Sequence, residues 1–427
     1  MAGVNTSNLH PSVRRVAAFL AVLLFWSACL CGQKPKQDIT CNDGSGEYRE
    51  RFSTGVTVSV GAMRNGAFAE RACDAKLTWN GQELRVATDA AQIAIDVLGA
   101  DLGFNEPVVA FQIGASGVDS QRTYQIYSLR KPPRLLHSIS GGDIYSAADT
   151  DLDGHVEIWT DDAMGVADFE HVPLKDLDLV PTVVLRFERG HLIDASSQFQ
   201  PHYDAQVADL RAHLDAADLD EFRNSDGTLS AKLTRPGDQW HRLTRTKIKV
   251  LEVVWCYLYS GREQEAWSAL ADLWPPSDLD RIRKAVKDAH AHGILQSVQG
   301  AARGNSHRPF NAHAEIYDAV VTAEGAANPS YISVTGTAPG SNPEPPVTQP
   351  KTILLRRPQG DGQQGLSFSD EVIELVVDAA GKVHSAKIVN GLDQQLIDAS
   401  AGWQFIPAFR DGLPVACRFR LKVRNLQ

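Results

Sequence analysis

From Gly55 to about Phe199 the chain is built from short runs of β-forming residues, each closed by a turn signal, and this restricts its possible folds more than any other feature. Val56–Val60 alternates, and so does Ala72–Trp79. Asn80-Gly81 then supplies the strongest short hairpin signal in the chain, followed by Glu83–Ala87. Further runs are Val108–Ile113, Tyr124–Leu129, Leu135–Ile139, Ile144–Ala147, Val156–Trp159 and Thr182–Phe187. Their regular spacing predicts an all-β module over 41–200, a sandwich or a set of propeller-like blades. After Gln200 the period changes to that of a helix. Tyr203–Leu214, Ala216–Phe222, Trp240 to about Tyr259 and Glu263–Leu273 fit it, and Ser277 with Asp280 reads as a capping box for one more helix, to about His290. That makes a helical segment over 201–299. An irregular, small-residue-rich region with a Pro-rich linker (Pro339, Pro343, Pro345, Pro346, Pro350) covers 300–351, and a small α+β domain follows over 352–427. The fold class expected is α+β and multidomain, with an N-terminal all-β module, a central helical segment and a small C-terminal α+β domain.

A length of 427 residues fits two to three domains, and the net charge of −10 comes with no dense basic patch. That charge argues against nucleic acid as a partner, because nothing would neutralise the phosphates. Arg14-Arg15 precede the apolar run Val16–Leu30, which ends in small residues before Cys29. This reads as an export signal over 1–31 and places the protein in the periplasm or cell envelope. Cleavage after Ala28, lipid attachment at Cys29 and an uncleaved membrane anchor are the three fates open to it. In that oxidising compartment Cys41 and Cys73, which flank a β-rich stretch, are expected to form a disulfide, whereas Cys256 and Cys417 are expected to stay thiols.

The stretch Asp149-Thr-Asp-Leu-Asp-Gly-His-Val-Glu157 carries oxygen ligands at positions 1, 3, 5 and 9 and glycine at 6. This is a calcium-loop order, and carboxylates so crowded repel one another without a cation. The expected metal set is Asp149, Asp151, Asp153, His155 and Glu157, holding a structural calcium ion. A helical EF-hand would need Glu at position 12, where Thr160 stands, and helices on both sides. The loop instead joins strand-like runs. It resembles the calcium loops of FG-GAP repeats, the blades of integrin-type propellers, with Val108 through Trp159 spanning about one blade.

The C-terminal stretch reads strand (Val372–Asp378), turn, strand (Val383–Val389), short helix (Leu392–Ala401), then Trp403-Gln-Phe405-Ile-Pro407-Ala408, Asp411-Gly412 and Pro414-Val415 opening a last strand. Asp378, Gly381, Val383, Trp403, Phe405, Pro407, Ala408, Asp411, Gly412, Pro414 and Val415 together resemble the C-terminal domain of TonB-like energy transducers. The resemblance covers about 372–423. It implies an envelope location and a domain that binds a protein partner by β-strand addition. An unpaired last strand would present Arg418, Arg420 and Lys422 as a basic row toward an acidic partner strand. Between these regions, Trp255, Tyr257, Gly261, Ala266 and Trp274-Pro275 resemble a single tetratricopeptide-type hairpin over about 248–275.

No nucleophile elbow, H-E-x-x-H or Walker loop occurs, so no catalytic residue is assigned. His290 and His292 lie two apart near a helix end and cannot face the same way, and His307/His313 sit in a loop, so no zinc site is assigned to them. The reading is a non-enzymatic envelope protein, a calcium-stabilised β module linked to a TonB-like partner-binding domain and associated with outer-membrane transport. The alternative is an exported hydrolase acting on a polysaccharide-type substrate, with the tail as a docking unit.

Overall fold

A computed structural model of the chain describes 40–42, 46–62, 72–114, 122–167, 169–171, 174, 179–229, 237–298, 317–318, 333–337, 351–354, 371–390, 394–410 and 413–424. All of these lie within the unit Asp38–Gln427. The export signal, His307, His313 and the Pro-rich linker fall outside the described residues. Among the described residues no helix is long and apolar enough to cross a membrane.

The β-rich part is three antiparallel meanders taken in chain order. β2 (Tyr48–Arg51), β3 (Thr57–Ala62), β4 (Cys73–Trp79) and β5 (Gln82–Ala90) form the first. In the second, β1 (Thr40–Asn42) pairs with β6 (Gln92–Leu98), which continues to β7 (Val108–Gly114), β8 (Arg122–Ser128) and β9 (Leu135–Ser140). The third holds β10 (Tyr145–Ala148), β11 (Glu157–Asp161), β12 (Thr182–Glu188) and β13 (His191–Asp194). Asn80 and Gly81 both take positive φ, 46° and 78°, as the two-residue hairpin between β4 and β5 requires.

The second sheet is the middle layer. Side chains alternate along a strand, so Val109 and Phe111 of β7 pack with Val58, Leu77 and Ile93, while Val108 and Ala110 face Tyr124, Ile158 and Leu185. A strand buried on both faces loses its polar half, which is why β7 reads as an unbroken apolar run through Phe111, before Gln112. A disulfide joins Cys41 on β1 to Cys73 on β4, linking the first two sheets.

Six helices and turns pack behind the third sheet, in the same core. The elements are α1 (Ala163–Val166), α2 (Gln200–Ala212), α3 (Ala216–Arg223), α4 (Gly237–Tyr259), α5 (Glu263–Leu273) and α6 (Leu279–His292). Of the face expected from its period (Trp240, Leu243, Val250, Leu251, Val254, Leu258), α4 buries Leu243, Val250, Leu251 and Val254, leaves Trp240 and Leu258 half-buried, and buries Trp255 as well. The start of α6 differs from expectation. A 3-10 turn, Pro276–Asp278, precedes it, and Asp278 stands at the cap with its carboxylate taken by the Trp274 indole and by Arg281.

The tail holds β16 (Lys351–Leu354), β17 (Glu371–Val377), β18 (Val383–Asn390), α7 (Gln394–Ser400), β19 (Gln404–Ile406), β20 (Ala408–Arg410), β21 (Leu413–Val415) and β22 (Cys417–Arg424). Ile373, Leu375, Trp403, Phe405, Phe419 and Leu421 are the centre of its own buried cluster. Gly381, at φ 84°, lets the β17–β18 turn lie on the main chain of β19, where a Cβ would stand 1.9 Å from the Phe405 carbonyl oxygen. The region expected to be irregular contributes β14 (Tyr317–Asp318) and β15 (Ser333–Thr337), and both pair with β22. The last strand is therefore not an edge. Its outer N–H and C=O groups are matched by a segment whose β-forming alternation, Ser-Val-Thr-Gly-Thr, is too short to stand out in the sequence.

Candidate functional site: the carboxylate loop and its seam with the tail

The loop between β10 and β11 turns sharply because its own carboxylates hold its amides. Gly154 N donates to Asp149 Oδ2 at 3.1 Å, Asp153 N to Asp151 Oδ1 at 3.2 Å, and His155 N to Asp153 Oδ1 at 2.8 Å. Leu152 is carried at φ 60° and Gly154 at 85°. The blade-like sheet carrying this loop is Tyr145–Asp194, not Val108–Trp159, since β7–β9 belong to the middle sheet.

Asp149, Asp151 and Asp153 each offer a carboxylate oxygen within 4.8 Å of the others. Glu157 and His155, expected in the same set, are not part of that group. Glu157 sits one step behind, its Oε2 accepting the Thr150 amide at 3.0 Å, with Arg186 Nη1 3.8 Å from its Oε1. The His155 ring lies 3.2 Å from Asp153 Oδ1, which leaves its main-chain carbonyl as the group a calcium loop uses at position 7.

Asp149 and Glu157 are both fully buried, and Asp149 Oδ1 and Glu157 Oε1 have no hydrogen-bond partner. Burial, then the neighbouring carboxylates of Asp378, Asp153 and Asp151, pushes Asp149 up to about 7. Burial likewise takes Glu157 to about 8, with Asp151, Asp149 and Asp153 adding to it. Asp153 goes the other way: burial raises it, but the His155 ring and amide outweigh that and hold it below the usual range. A buried acceptor without a donor is costly, and a bound cation takes the place of the protons that these raised values favour.

The tail closes over this loop, which nothing in the linear sequence announces. Asp378 Oδ2 accepts the Asp149 amide at 3.0 Å, and Lys382 Nζ reaches Asp96 Oδ1 on β6 at 2.8 Å. Asp96 also accepts from the Tyr124 hydroxyl and the Ala147 amide, so Lys382 meets a fixed carboxylate. Asp378 and Gly381, two of the residues that carry the TonB-like resemblance, thus shape the turn that seats the tail on the module.

Of the basic row, Arg420 Nε pairs with Glu374 Oε2 at 3.0 Å across β17, and Arg418 and Lys422 lie opposite Val376 and Val372 in a strand with neighbours on both sides. That removes the free edge on which their binding role depended. Among the described residues β18 ends this sheet on one side, with a neighbour only in β17, and β14 and β15, each paired only with β22, end it on the other. The His290 ring stacks edge-on with Tyr259 while the His292 ring turns to the Asp288 carbonyl, so the two do not converge.

A cavity of about 220 Å³ lies between α2 and α4, lined by Tyr203, Leu210, Glu252, Trp255, Cys256 and Tyr259 among others. Burial pushes Glu252 up to about 7, with Lys249 pulling the other way, and burial takes the Cys256 thiol to about 12. A thiol held above its ordinary range stays protonated near neutrality. Comparison with protein-family models, curated proteins and solved structures finds no match to this chain.

Proposed function

We propose that this is a non-enzymatic cell-envelope protein in which a calcium-stabilised β module carries a TonB-like domain that binds a protein partner. The observation that carries the reading is the buried, unpartnered Asp149 Oδ1 beside Asp151 and Asp153, in a loop whose order of oxygen groups and glycine is that of a calcium site. Asp149, Asp151 and Asp153 would hold the ion, with Glu157 behind them and the His155 carbonyl at position 7. A hard divalent cation would satisfy oxygens that the folded chain leaves without donors. Partner binding falls to β18, whose free side is suited to strand addition, rather than to the basic row of β22.

Calcium binding at a Kd of about 10⁻⁴–10⁻³ M, usual for extracellular modules, would stabilise the fold by about 1.4–2.7 kcal/mol at 10 mM ion. The melting temperature of the full chain should rise accordingly with calcium and fall back with chelator, and Asp151→Ala should abolish the rise. Unchanged wild-type melting would remove the ion from the reading. The partner half has its own test. Immobilised full-length protein should retain a defined envelope protein from extracts, and retention of none counts against it.

A further inference from the structure

The tail meets the carboxylate loop through the loop itself as well as beside it. Asp149 gives its amide to Asp378, and Leu152, at the crest of the loop, packs against Val376 and Ala416 of the tail in a small buried cluster. Beside these contacts Lys382 is anchored on Asp96, and Ala379 and Ala380 enter the buried core of the module. Two of the loop's residues are therefore platform for the tail, while the Lys382 anchor stands on β6, outside the loop.

We infer that a divalent cation in this loop is a clasp for the tail, so that the ion-loaded loop holds the 378–382 turn and the ion-free loop releases it. The inference rests on the calcium reading above and has two independent physical drives. One is electrostatic. The Asp378 carboxylate is held against a loop bearing Asp149, Asp151 and Asp153, charges of its own sign. A bound cation reverses the field that Asp378 meets there. The other is conformational. Leu152 points at Val376 and Ala416 only while the loop keeps it at φ 60°, an unfavourable angle for a leucine, through amides bound to Asp149, Asp151 and Asp153. An ion ligated by those same carboxylates fixes the turn and hence the platform.

Coupling of this kind is reciprocal: if the ion tightens the tail's hold, the docked tail tightens ion binding by the same factor, and release of the tail forfeits it. Lys382→Met is the useful variant, because it cuts the Asp96 anchor and leaves every loop carboxylate in place. Its direct electrostatic effect has the opposite sign, since losing a nearby positive charge favours a cation. A fall in calcium affinity can then come only through release of the tail. Calorimetric calcium titration of the full chain should show binding about five- to tenfold weaker in Lys382→Met than in wild type, and none in Asp151→Asn. Amide exchange across 378–382 in the wild type, which needs no variant to fold, should slow about tenfold on adding calcium. Protection retained in β17 shows that the variant's tail is folded. No calcium binding by the wild type would overturn the site and the clasp together. Equal affinities in wild type and Lys382→Met, with exchange across 378–382 indifferent to calcium, would overturn the clasp and leave the site standing.

Discussion

Replacing Asp162 with alanine should destabilise the chain by about 4 kcal/mol, read as a lower urea midpoint at unchanged slope. Asp162 follows β11 and is fully buried. Its Oδ1 accepts from the Gly165 and Ile294 amides at 2.8 Å each, and its Oδ2 from the Tyr259 hydroxyl. One carboxylate thus ties the third sheet to the start of α1, the end of α4 and the turn after α6. Alanine would leave three donors without an acceptor, two of them buried and the Gly165 amide half-buried, each worth about 1–3 kcal/mol. Gly293 belongs to the same arrangement, since a Cβ there would stand 1.8 Å from Asp162 Oδ2. Tyr259→Phe removes a single bond and should cost about 1 kcal/mol, and Asp162→Asn, which keeps an acceptor for the two amides, should fall between the two. A loss under 1 kcal/mol in Asp162→Ala would mean that apolar packing alone seats the helices on the sheet.

This joint shows where reading the sequence runs out. Local signals served wherever structure is local. The β4–β5 hairpin follows from Asn80-Gly81, α4 from its apolar stripe, and the carboxylate loop from the spacing of Asp149, Asp151 and Asp153 with Gly154. β6 gives a weak signal, although Gln92–Leu98 alternates, because Ala94 and Asp96 dilute its β-formers. Asp96 is there to receive Tyr124, Ala147 and Lys382. Asp162, Asp378 and Lys382 find their partners 97 to 286 residues away, a separation that leaves no mark on neighbouring residues. The covering of β22 was illegible for another reason. Strand pairing satisfies backbone groups of any sequence, so β15 needed no distinctive residues to claim that edge.

Trp403→Ala should take about 3–5 kcal/mol from the tail, the range for deleting a large buried aromatic, and that is enough to unfold it. Trp403, three residues past α7, is fully buried in one cluster with Phe405 and Phe419, whose rings meet edge-to-face at 5.6 Å. Their cluster is small, ten buried side chains, so it has little with which to fill the void. The module keeps separate cores on both faces of its middle sheet and does not draw on Trp403. The full-length variant should therefore lose amide protection in β17, β18 and β22 while β7 and β8 keep theirs, and its melt should divide into two steps. Trp403→Phe, which retains a ring in the same place, should lose less and keep a single set of protected tail strands. Protection in the tail unchanged by Trp403→Ala would show that the ring is not what holds it. Loss of protection in all three sheets at once would carry a different meaning. It would show that the contacts of Asp378, Leu152 and Lys382 bind tail and module into one cooperative unit, in which the tail cannot unfold without taking the loop's sheet with it.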